Sequence, residues 1–194
     1  MFTGIIEQIG NIKSIRQEGT NKVFCLSVSF LHELKIDQSI AHNGVCLTVS
    51  NLYHDIYEVT AIAETLQCTN LDNWQVHDKI NVERCMPANG RFDGHIVQGH
   101  VDTTAVCTQI EDLNGSWKCA FQYQDSENIT VQKGSICING ISLTVVDSET
   151  NSFSVAIIPY TFEHTNFKTL KVGDKVNLEF DIIGKYLQKM MRKG

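Results

Sequence analysis

Short stretches of alternating apolar and polar residues recur along the chain and predict β-strands. Side chains alternate over residues 23–30 and again over Trp117–Tyr123, as in strands with one buried face. Apolar segments at 47–52 and 56–62 flank a polar turn, and segments at 143–147 and 153–158 flank another. About six short strands in each ~90 residues suit a small closed barrel, since closure leaves no exposed strand edge.

Helical signals are few. Strand patterning stops after Glu64 and after Tyr160, where we predict short helical turns. Residues 84–94 lack periodicity and contain a proline and two glycines, which indicates a hinge. The tail, residues 181–194, places apolar residues at helical spacing among lysines. A single amphipathic helix of this length is marginal in water, so its apolar face needs a partner, either its own barrel or another subunit.

The two halves of the chain repeat each other. Residues 42–49 and 138–145 lie 96 positions apart and are identical at five of eight positions. The same offset aligns residues 78–83 with 174–179, and an offset of 95 aligns residues 4–7 with 99–102. Matches in one register along most of each half indicate a tandem duplication. Each copy contains an Asn-Gly pair, Asn43-Gly44 or Asn139-Gly140, which is a strong turn signal.

Composition narrows the class of protein. The chain has 194 residues and a net charge of −6, without a basic stripe, which disfavours nucleic-acid and anionic-membrane partners. The first residues resemble neither a signal peptide nor a membrane span. The seven cysteines are scattered without a C-x-x-C pair, so a zinc site or disulfide framework is not expected. We therefore expect a cytoplasmic protein with free thiols.

Four sequence motifs together carry a family resemblance. They are residues 1–7, the two Asn-Gly-x-Cys/Ser-Leu-Thr-Val segments, residues 94–102 with the pattern Gly-His-x-x-x-Gly-His-Val-Asp, and residues 183–186. With these motifs the whole chain resembles the two-barrel, lumazine-binding riboflavin synthases. The resemblance implies an all-β fold of two tandem six-stranded Greek-key barrels with short helices and a C-terminal α-helix. We assign residues 1–92 and 93–182 to the barrels and 183–194 to an oligomerisation helix.

The resemblance also implies an activity. Two molecules of 6,7-dimethyl-8-ribityllumazine dismutate by transfer of a four-carbon unit, giving riboflavin and 5-amino-6-ribitylamino-pyrimidinedione, without a cofactor. Three chains associate through the C-terminal helix, and association with lumazine synthase is a further expectation. The duplication fits this chemistry, because two similar pockets with unlike polar groups suit a donor and an acceptor. Drift after duplication is the alternative.

His100 is the best candidate for acid–base catalysis, because imidazole titrates near neutrality. A lone histidine is more often structural, and its place in the family motif favours the catalytic role. His95 suits a supporting or hinge role. The two histidines have no third ligand at suitable spacing, so we predict no metal site.

Cys46 has three open interpretations: a thiolate that adds to the ring, a hydrogen-bond donor, or a small buried apolar residue. Its counterpart in the second half is Ser142. The remaining six cysteines are expected to be inert. Phe2 either stacks on a substrate ring, closing over a site as the resemblance implies, or packs in a core.

Hydroxyl and carboxylate side chains near the repeated motifs suit a pteridine edge or a polyol chain. Thr48 and Thr144 recur at equivalent positions, and Ser39 precedes the first motif. Lys133 matches a lysine of the family, although a solvated lysine is the ordinary interpretation. Asn139 stands where many members of the family have Asp, which removes a possible charge.

The candidate residues form two sets. The catalytic set is His100, Cys46, Ser142, Phe2 and Ser39. The substrate-binding set is Gly4, Ile5, Ile6, Cys46, Leu47, Thr48, Thr60, Ala61, Ile62, Ala63, Glu64, Thr65, Gly99, His100, Val101, Lys133, Ser142, Leu143, Thr144, Ala156, Ile157, Ile158, Pro159, Tyr160 and Thr161.

Two other functions compete. A non-catalytic lumazine or flavin carrier would share the fold, but we expect one of its two motifs to be eroded, and both are present here. A flavin-dependent oxidoreductase would need a nucleotide-binding βαβ domain, for which the chain has no room. We expect a ligand cup in each copy of the repeat, and a cup that is filled by side chains and unable to admit a ring would contradict the proposal.

Overall fold

A computed structural model describes residues 1–124 and 128–192 of the chain. Residues 193 and 194, which the sequence assigns to the C-terminal helix, lie outside the described part. The first half contains six strands, with one short helix before the last of them. They are β1 (Gln8–Glu18), β2 (Asn21–Ser27), β3 (Ser39–His42), β4 (Val45–Leu52), β5 (Tyr57–Ala61), α1 (Ala63–Cys68) and β6 (Lys79–Arg84).

The second half repeats this order of elements and adds a terminal helix. Its elements are β7 (Thr103–Asp112), β8 (Trp117–Tyr123), β9 (Ser135–Ile138), β10 (Ile141–Ser148), β11 (Ser152–Ile157), α2 (Pro159–His164), β12 (Lys175–Phe180) and α3 (Ile182–Met191). Three short 3₁₀ turns, at Leu31–Glu33, Leu71–Asn73 and Asn166–Thr169, complete the regular structure of the described residues.

Each half closes into an antiparallel barrel with the same strand order. The order is β1-β2-β5-β4-β3-β6 in the first barrel, and the equivalent ring is formed by β7 to β12 in the second. Within each ring, three consecutive strands are followed by a fourth that returns beside the first of them, which is the Greek-key connection. The predicted pair of duplicated six-stranded barrels with short helices and a C-terminal helix is confirmed.

The element bounds follow the local signals, with small differences. The predicted helical turns are α1 and α2, which begin at Ala63 and Pro159. Strand β2 ends at Ser27, whereas the alternation in sequence runs on to residue 30, because the apolar residues Val28 and Phe30 stay buried in the irregular segment that follows. The Asn-Gly pairs form the turns between β3 and β4 and between β9 and β10, with both asparagines at φ 46°.

Both barrel interiors are filled by apolar side chains. The first is packed by aliphatic residues around Phe24, Tyr57 and Trp74, and the rings of Phe24 and Trp74 meet edge to face at 5.1 Å. The second is packed around Phe121, Phe153 and Phe167. These cores are the main source of stability, because each fully buried side chain of this size contributes about 1.5–3 kcal/mol.

Six asparagines join the two barrels in a pseudo-symmetric set of hydrogen bonds, here called the asparagine network. Asn81 donates through Nδ2 to the carbonyl of Asn139, and Asn177 donates in the equivalent way to Asn43, each at 2.9 Å. Further bonds use the backbone N–H groups of Asn70 and Asn166. Because these four bonds form two matched pairs, they fix one orientation of the barrels about a local twofold axis.

The two Asn-Gly turns meet at this axis. A Cβ atom built on Gly44 would lie 2.7 Å from the backbone nitrogen of Gly140, and one built on Gly140 would lie 2.8 Å from that of Gly44. Both glycines also have positive φ, 78° and 81°. Neither position therefore has room for a side chain.

Helix α3 packs its apolar face only partly against its own barrel. Asp181 caps the helix by accepting a hydrogen bond from the N–H of Ile183, and Lys185 forms a salt bridge with Asp102. The helix nevertheless exposes five large apolar side chains, which are Ile183, Tyr186, Leu187, Met190 and Met191. In the residues that the structure describes, no helix is both long and apolar enough to cross a membrane.

The packing of the turns leads to a stability prediction. Gly19 also has positive φ, but a Cβ atom built on it meets nothing within 4 Å, so Gly19→Ala should cost only about 1 kcal/mol of backbone strain. Gly44→Ala adds a backbone clash and should lower the free energy of unfolding by about 2 kcal/mol more. Urea unfolding of both variants measures the difference. An equal loss of unfolding free energy in the two variants would mean that the two Asn-Gly turns, at Gly44 and Gly140, are not in contact.

Candidate active site

The barrel interiors do not offer a ligand cup. Leu47, Ala61, Leu143 and Ile157 point into the cores and are at most 8% exposed, so only their backbone atoms can line a ligand. Core side chains fill that space, so a ligand of either barrel would lie outside the interior. The polar candidates occupy the alternate strand positions and face outward.

One group of candidates lies on the outer face of the first barrel and is called site 1. Ser39 of β3 pairs with Thr48 of β4, and Cys46 lies two residues before Thr48 on the same face. The register that pairs Val49 with Val59 brings Thr48 opposite Thr60 of β5. Thr48 is exposed, and Cys46 is half-buried. Site 1 therefore presents a row of hydroxyl groups beside a thiol.

A segment of the second barrel completes site 1. Strand β5 ends at Ala61 and does not pair with the start of β4. The backbone N–H of Cys46 there donates to the carbonyl of Gly99 at 2.9 Å. Gly99 has φ 81°, and a Cβ atom there would lie 2.6 Å from the Cβ of Cys46. Val101 packs against the core of the first barrel. The residue between them, His100, is exposed next to this contact.

The second barrel carries the equivalent arrangement, site 2, completed by a segment of the first. Ser142 occupies the place of Cys46, and its N–H donates to the carbonyl of Gly4 at 2.8 Å. Thr144 pairs with Ser135, and the register of β10 and β11 brings it opposite Ala156. Ile5 is exposed, while Ile6 packs against the core of the second barrel. The leading segments of the two barrels are thus exchanged.

The short helices follow directly from the site strands. Ile62 and Ile158 precede α1 and α2 and are both exposed. The first turn of α1 contains Ala63, with Glu64 exposed and Thr65 half-buried, and the first turn of α2 contains Pro159, Tyr160 and Thr161. Tyr160 is 69% exposed and stacks on His164. The N-terminal end of each helix is therefore available to a ligand that lies on the outer face of the barrel.

Phe2 is buried between the barrels rather than displayed in a site. It forms an antiparallel bridge with Val97, the residue that aligns with it in the repeat, and packs with Ala41 and Cys137. Its side chain is fully buried, and a Cβ atom on Gly99 would lie 2.9 Å from the Phe2 ring. In the single chain the ring supports Gly99 and Cys46 from behind, which is the core-packing alternative.

Burial changes the acid–base properties of Cys46. Desolvation raises the pKa of its thiol, Cys85 and Glu179 raise it further, and a hydrogen bond with Ser39 lowers it. The raised pKa keeps Cys46 protonated at neutral pH. Of the roles left open by the sequence, the hydrogen-bond donor and the half-buried apolar group fit this environment better than the thiolate.

His95 contacts a site residue directly, in agreement with the supporting role expected from the sequence, although the sequence did not indicate which residue. Its Nδ1 lies 2.6 Å from the hydroxyl of Ser142. Burial lowers the pKa of His95 while Asp181 raises it, so that the imidazole is neutral near pH 7. His95 and Ser142 lie 47 positions apart in the sequence. The repeat alignment could not reveal their contact, because the first copy has no residue equivalent to His95.

Two other candidates lie at the edge of the sites or away from them. Lys133 precedes β9 with φ 67°, and its backbone N–H donates to the carbonyl of Val145. Asn139 belongs to the asparagine network, where its side-chain oxygen accepts from the N–H of Asn177. Among the described residues, no cluster of three His, Cys, Asp or Glu is placed to hold a metal ion.

Comparison with known sequences finds one repeated domain and full-length relatives. The lumazine binding domain model matches residues 3–85 and again 98–181. The chain is 42% identical to a riboflavin synthase of Actinobacillus pleuropneumoniae, covering 100% of this chain and 91% of the relative. It is 39% identical to a riboflavin synthase of Bacillus subtilis (strain 168) and 34% identical to one of Saccharomyces cerevisiae, covering 91% and 86% of those relatives.

Solved structures with the same fold are also found. LumP complexed with 6,7-dimethyl-8-(1'-D-ribityl) lumazine superimposes with a TM-score of 0.85 at 21% sequence identity, covering 93% of this chain and 99% of that one. LumP complexed with riboflavin gives a TM-score of 0.84 at 23% identity, covering 92% and 98%. At this identity the likeness shows the fold alone.

The environment of Cys46 predicts slow alkylation. At about pH 7.5, iodoacetamide should modify the exposed Cys68 roughly tenfold faster than Cys46, because Cys46 is partly buried and little of it is thiolate. The rate at Cys46 should keep rising into alkaline pH, as its raised pKa is approached. Peptide mass spectrometry resolves the two sites. Faster modification of Cys46 near neutral pH would identify it as an activated thiolate.

Proposed function

Because this chain belongs to the lumazine binding domain family, and within it to the riboflavin synthases, which are transferases, we propose that it converts 6,7-dimethyl-8-ribityllumazine. In the proposed reaction two molecules dismutate by transfer of a four-carbon unit. The products are riboflavin and 5-amino-6-ribitylamino-pyrimidinedione. The reaction needs no cofactor, because the two substrate rings supply the donor and the acceptor.

The observation that carries this proposal is the recurrence of one outer-face site with different polar groups in its two copies. Both copies keep the outward Thr, the exchanged glycine segment and the short helix. They differ at Cys46 against Ser142 and at His100 against Ile5. Two similar sites that bind one molecule in two roles fit this pattern, with site 1 carrying the acid–base group.

Placing two rings face to face is the largest contribution that such a protein can make. Effective molarities of ~10⁵ M or more offset the entropy lost when two substrates are brought together. Proton transfer from an activated methyl group adds ~10²–10⁴-fold, which His100 would supply. Shape and orientation therefore account for more of the proposed rate than any single side chain.

The remaining residues are assigned to binding. Thr48 and Thr144 would contact the ring edges, and Glu64, Thr65 and Thr161 the ribityl hydroxyls, since these groups are polar and border the outer faces. Ser39 supports Cys46 through its hydrogen bond. Lys133 remains a candidate at the edge of site 2. The lack of phosphate on the ribityl chain fits the absence of an arginine cluster in the sequence.

A non-catalytic carrier is the second candidate. LumP, which shares the fold, is described in complexes with a lumazine, with riboflavin and with flavin mononucleotide. Against a carrier, both copies of the site keep their motif in this chain, and the identity to riboflavin synthases is 34–42% against 21–23% to LumP. The proposal therefore favours the enzyme.

We also propose that the active protein is a trimer whose sites lie between chains. In the single chain Thr48, Glu64 and His100 are exposed, so a substrate ring on site 1 would remain open to water. A neighbouring chain that contributes its site 2 would cover it and bring the two rings together. The exposed apolar side chains of α3 supply a surface for such association. Association with lumazine synthase would be a separate contact.

The proposed location is the cytoplasm. All seven cysteines, which lie within the described part of the chain, are free, and several are buried where oxidation would disrupt packing. Free thiols suit a reducing compartment.

Turnover distinguishes the enzyme from the carrier. The purified, metal-stripped protein is supplied with 6,7-dimethyl-8-ribityllumazine alone, and riboflavin formation is followed by absorbance. We expect His100→Ala to lower kcat by ~10²-fold or more and Cys46→Ser by less, with weaker effects on ligand binding. Tight binding without turnover in the wild type would indicate a carrier. Full turnover in both variants would refute the assigned roles.

Helix α3 allows a test of assembly. Leu187→Lys places a charge on the exposed apolar face and should convert a trimer into smaller species, whereas Lys189→Ala on the same helix should not. Mass in solution, measured by light scattering, gives the oligomeric state, and kcat should fall together with it. A Leu187→Lys protein that stays trimeric would place the interface elsewhere.

A further inference from the structure

The carboxylate of Glu179 holds three consecutive backbone N–H groups of the segment that completes site 1. Its Oε1 accepts from the N–H of Gln98 at 2.6 Å, and its Oε2 accepts from those of Gly99 at 2.9 Å and His100 at 3.0 Å. Glu179 lies on β12 of the second barrel and is 2% exposed. One buried side chain therefore fixes the path of the backbone through Gly99 and His100.

A carboxylate at this position needs a reason, because burying it is unfavourable. Desolvation raises the pKa of Glu179 to about 7, while the three N–H groups and Lys185 lower it. An apolar residue here would leave three N–H groups without this acceptor, and each N–H that stayed buried would be destabilising. The geometry explains why the segment keeps its irregular conformation next to the sheet.

The segment is held at its other end as well. Asp102 accepts from the backbone N–H of Phe180 at 2.9 Å and from Lys185 of α3 at 2.8 Å. The N–H of Asp102 donates to the carbonyl of Leu178. The backbone is therefore held on both sides of His100. Gly99 packs against Cys46, and Val101 packs against the core of the first barrel.

From this geometry we infer that Glu179 is a positioning residue for the reaction, acting by fixing the backbone of His100 beside Cys46 in site 1. The inference rests on the proposed function, in which His100 transfers the proton. A catalytic group must sit within hydrogen-bond reach of the atom it serves, and a displacement of ~1 Å can cost ~10²-fold in rate. Loss of the clamp therefore affects kcat more than substrate binding.

The repeat provides an internal comparison. Glu83 of β6 is the equivalent of Glu179 and accepts from the backbone and hydroxyl of Thr3 and from the N–H of Gly4. The segment that it holds continues into Ile5, which has no ionisable group. The same device therefore shapes both sites, but only the clamp of Glu179 carries a residue capable of acid–base chemistry.

A double-mutant cycle tests the inference. Glu179→Gln keeps the size of the side chain but replaces one acceptor oxygen with a donor, and we expect it to lower kcat about tenfold or more with a smaller change in KM. In the His100→Ala background the same substitution should lower kcat no further. A reduction by the same factor in both backgrounds, or no reduction in the wild-type background, would overturn the inference.

Controls separate positioning from stability. Glu58→Gln alters another buried carboxylate, whose hydrogen-bond partners are Arg16, Cys25 and Asn51 and not the backbone of residues 98–100. It should lower thermal stability while leaving kcat intact. If Glu179→Gln does not fold, Glu179→Asp, which is one methylene shorter, replaces it in the cycle with a smaller expected loss.

Hydrogen exchange supplies a readout that does not depend on turnover. The backbone amides of Gln98, Gly99 and His100 should be protected in the wild type and should exchange faster in Glu179→Gln. Unchanged protection would overturn the clamp itself. A wild-type protein with protected amides but no riboflavin formation would instead refute the proposed function.

Discussion

The close contact of two Asn-Gly turns at the local twofold axis is the constraint on which the rest of the structure depends. Gly44 and Gly140 approach so closely that neither can carry a side chain, and the asparagine network surrounds them with matched hydrogen bonds. Amide side chains suit this interface because each can donate and accept at once. Once the turns are joined in this way, the start of each barrel is brought alongside the site strand of the other.

The position of the candidate sites follows from the small size of the barrels. A six-stranded ring of this kind is filled by its own core, so the candidate side chains lie at outward positions of β4 and β10 and on the exchanged leading segments. Those positions are free to vary, because they do not pack in a core. This freedom explains how one copy has a thiol and a histidine while the other has a hydroxyl and an isoleucine. The folds of the two copies remain alike because their inward residues are constrained.

Much of the fold could be predicted from the sequence, because duplication doubles every signal. The repeat offset identified the equivalent strands, the Asn-Gly pairs marked the turns, and the loss of alternation marked α1 and α2. Alternation alone does not say which face of β4 meets a ligand, so the sequence could not choose between Thr48 and Leu47. The contacts of His95, Glu83 and Glu179 could not be predicted from the sequence either. Each joins residues more than 40 positions apart, and no local pattern encodes such a pairing.

The exchange of leading segments bears on how such a molecule arose. In a barrel without its companion, the site strand would have an unpaired backbone N–H beyond the end of β5 or β11. This N–H belongs to Cys46 in the first barrel and to Ser142 in the second. Two separate copies that associate about a twofold axis would each supply the carbonyl that accepts from this N–H of the other, as the halves of this chain do. The arrangement is consistent with an ancestral symmetric homodimer, whose gene was duplicated and fused without altering the contacts between the halves. Fusion then released the halves from identity, and asymmetry between them became heritable.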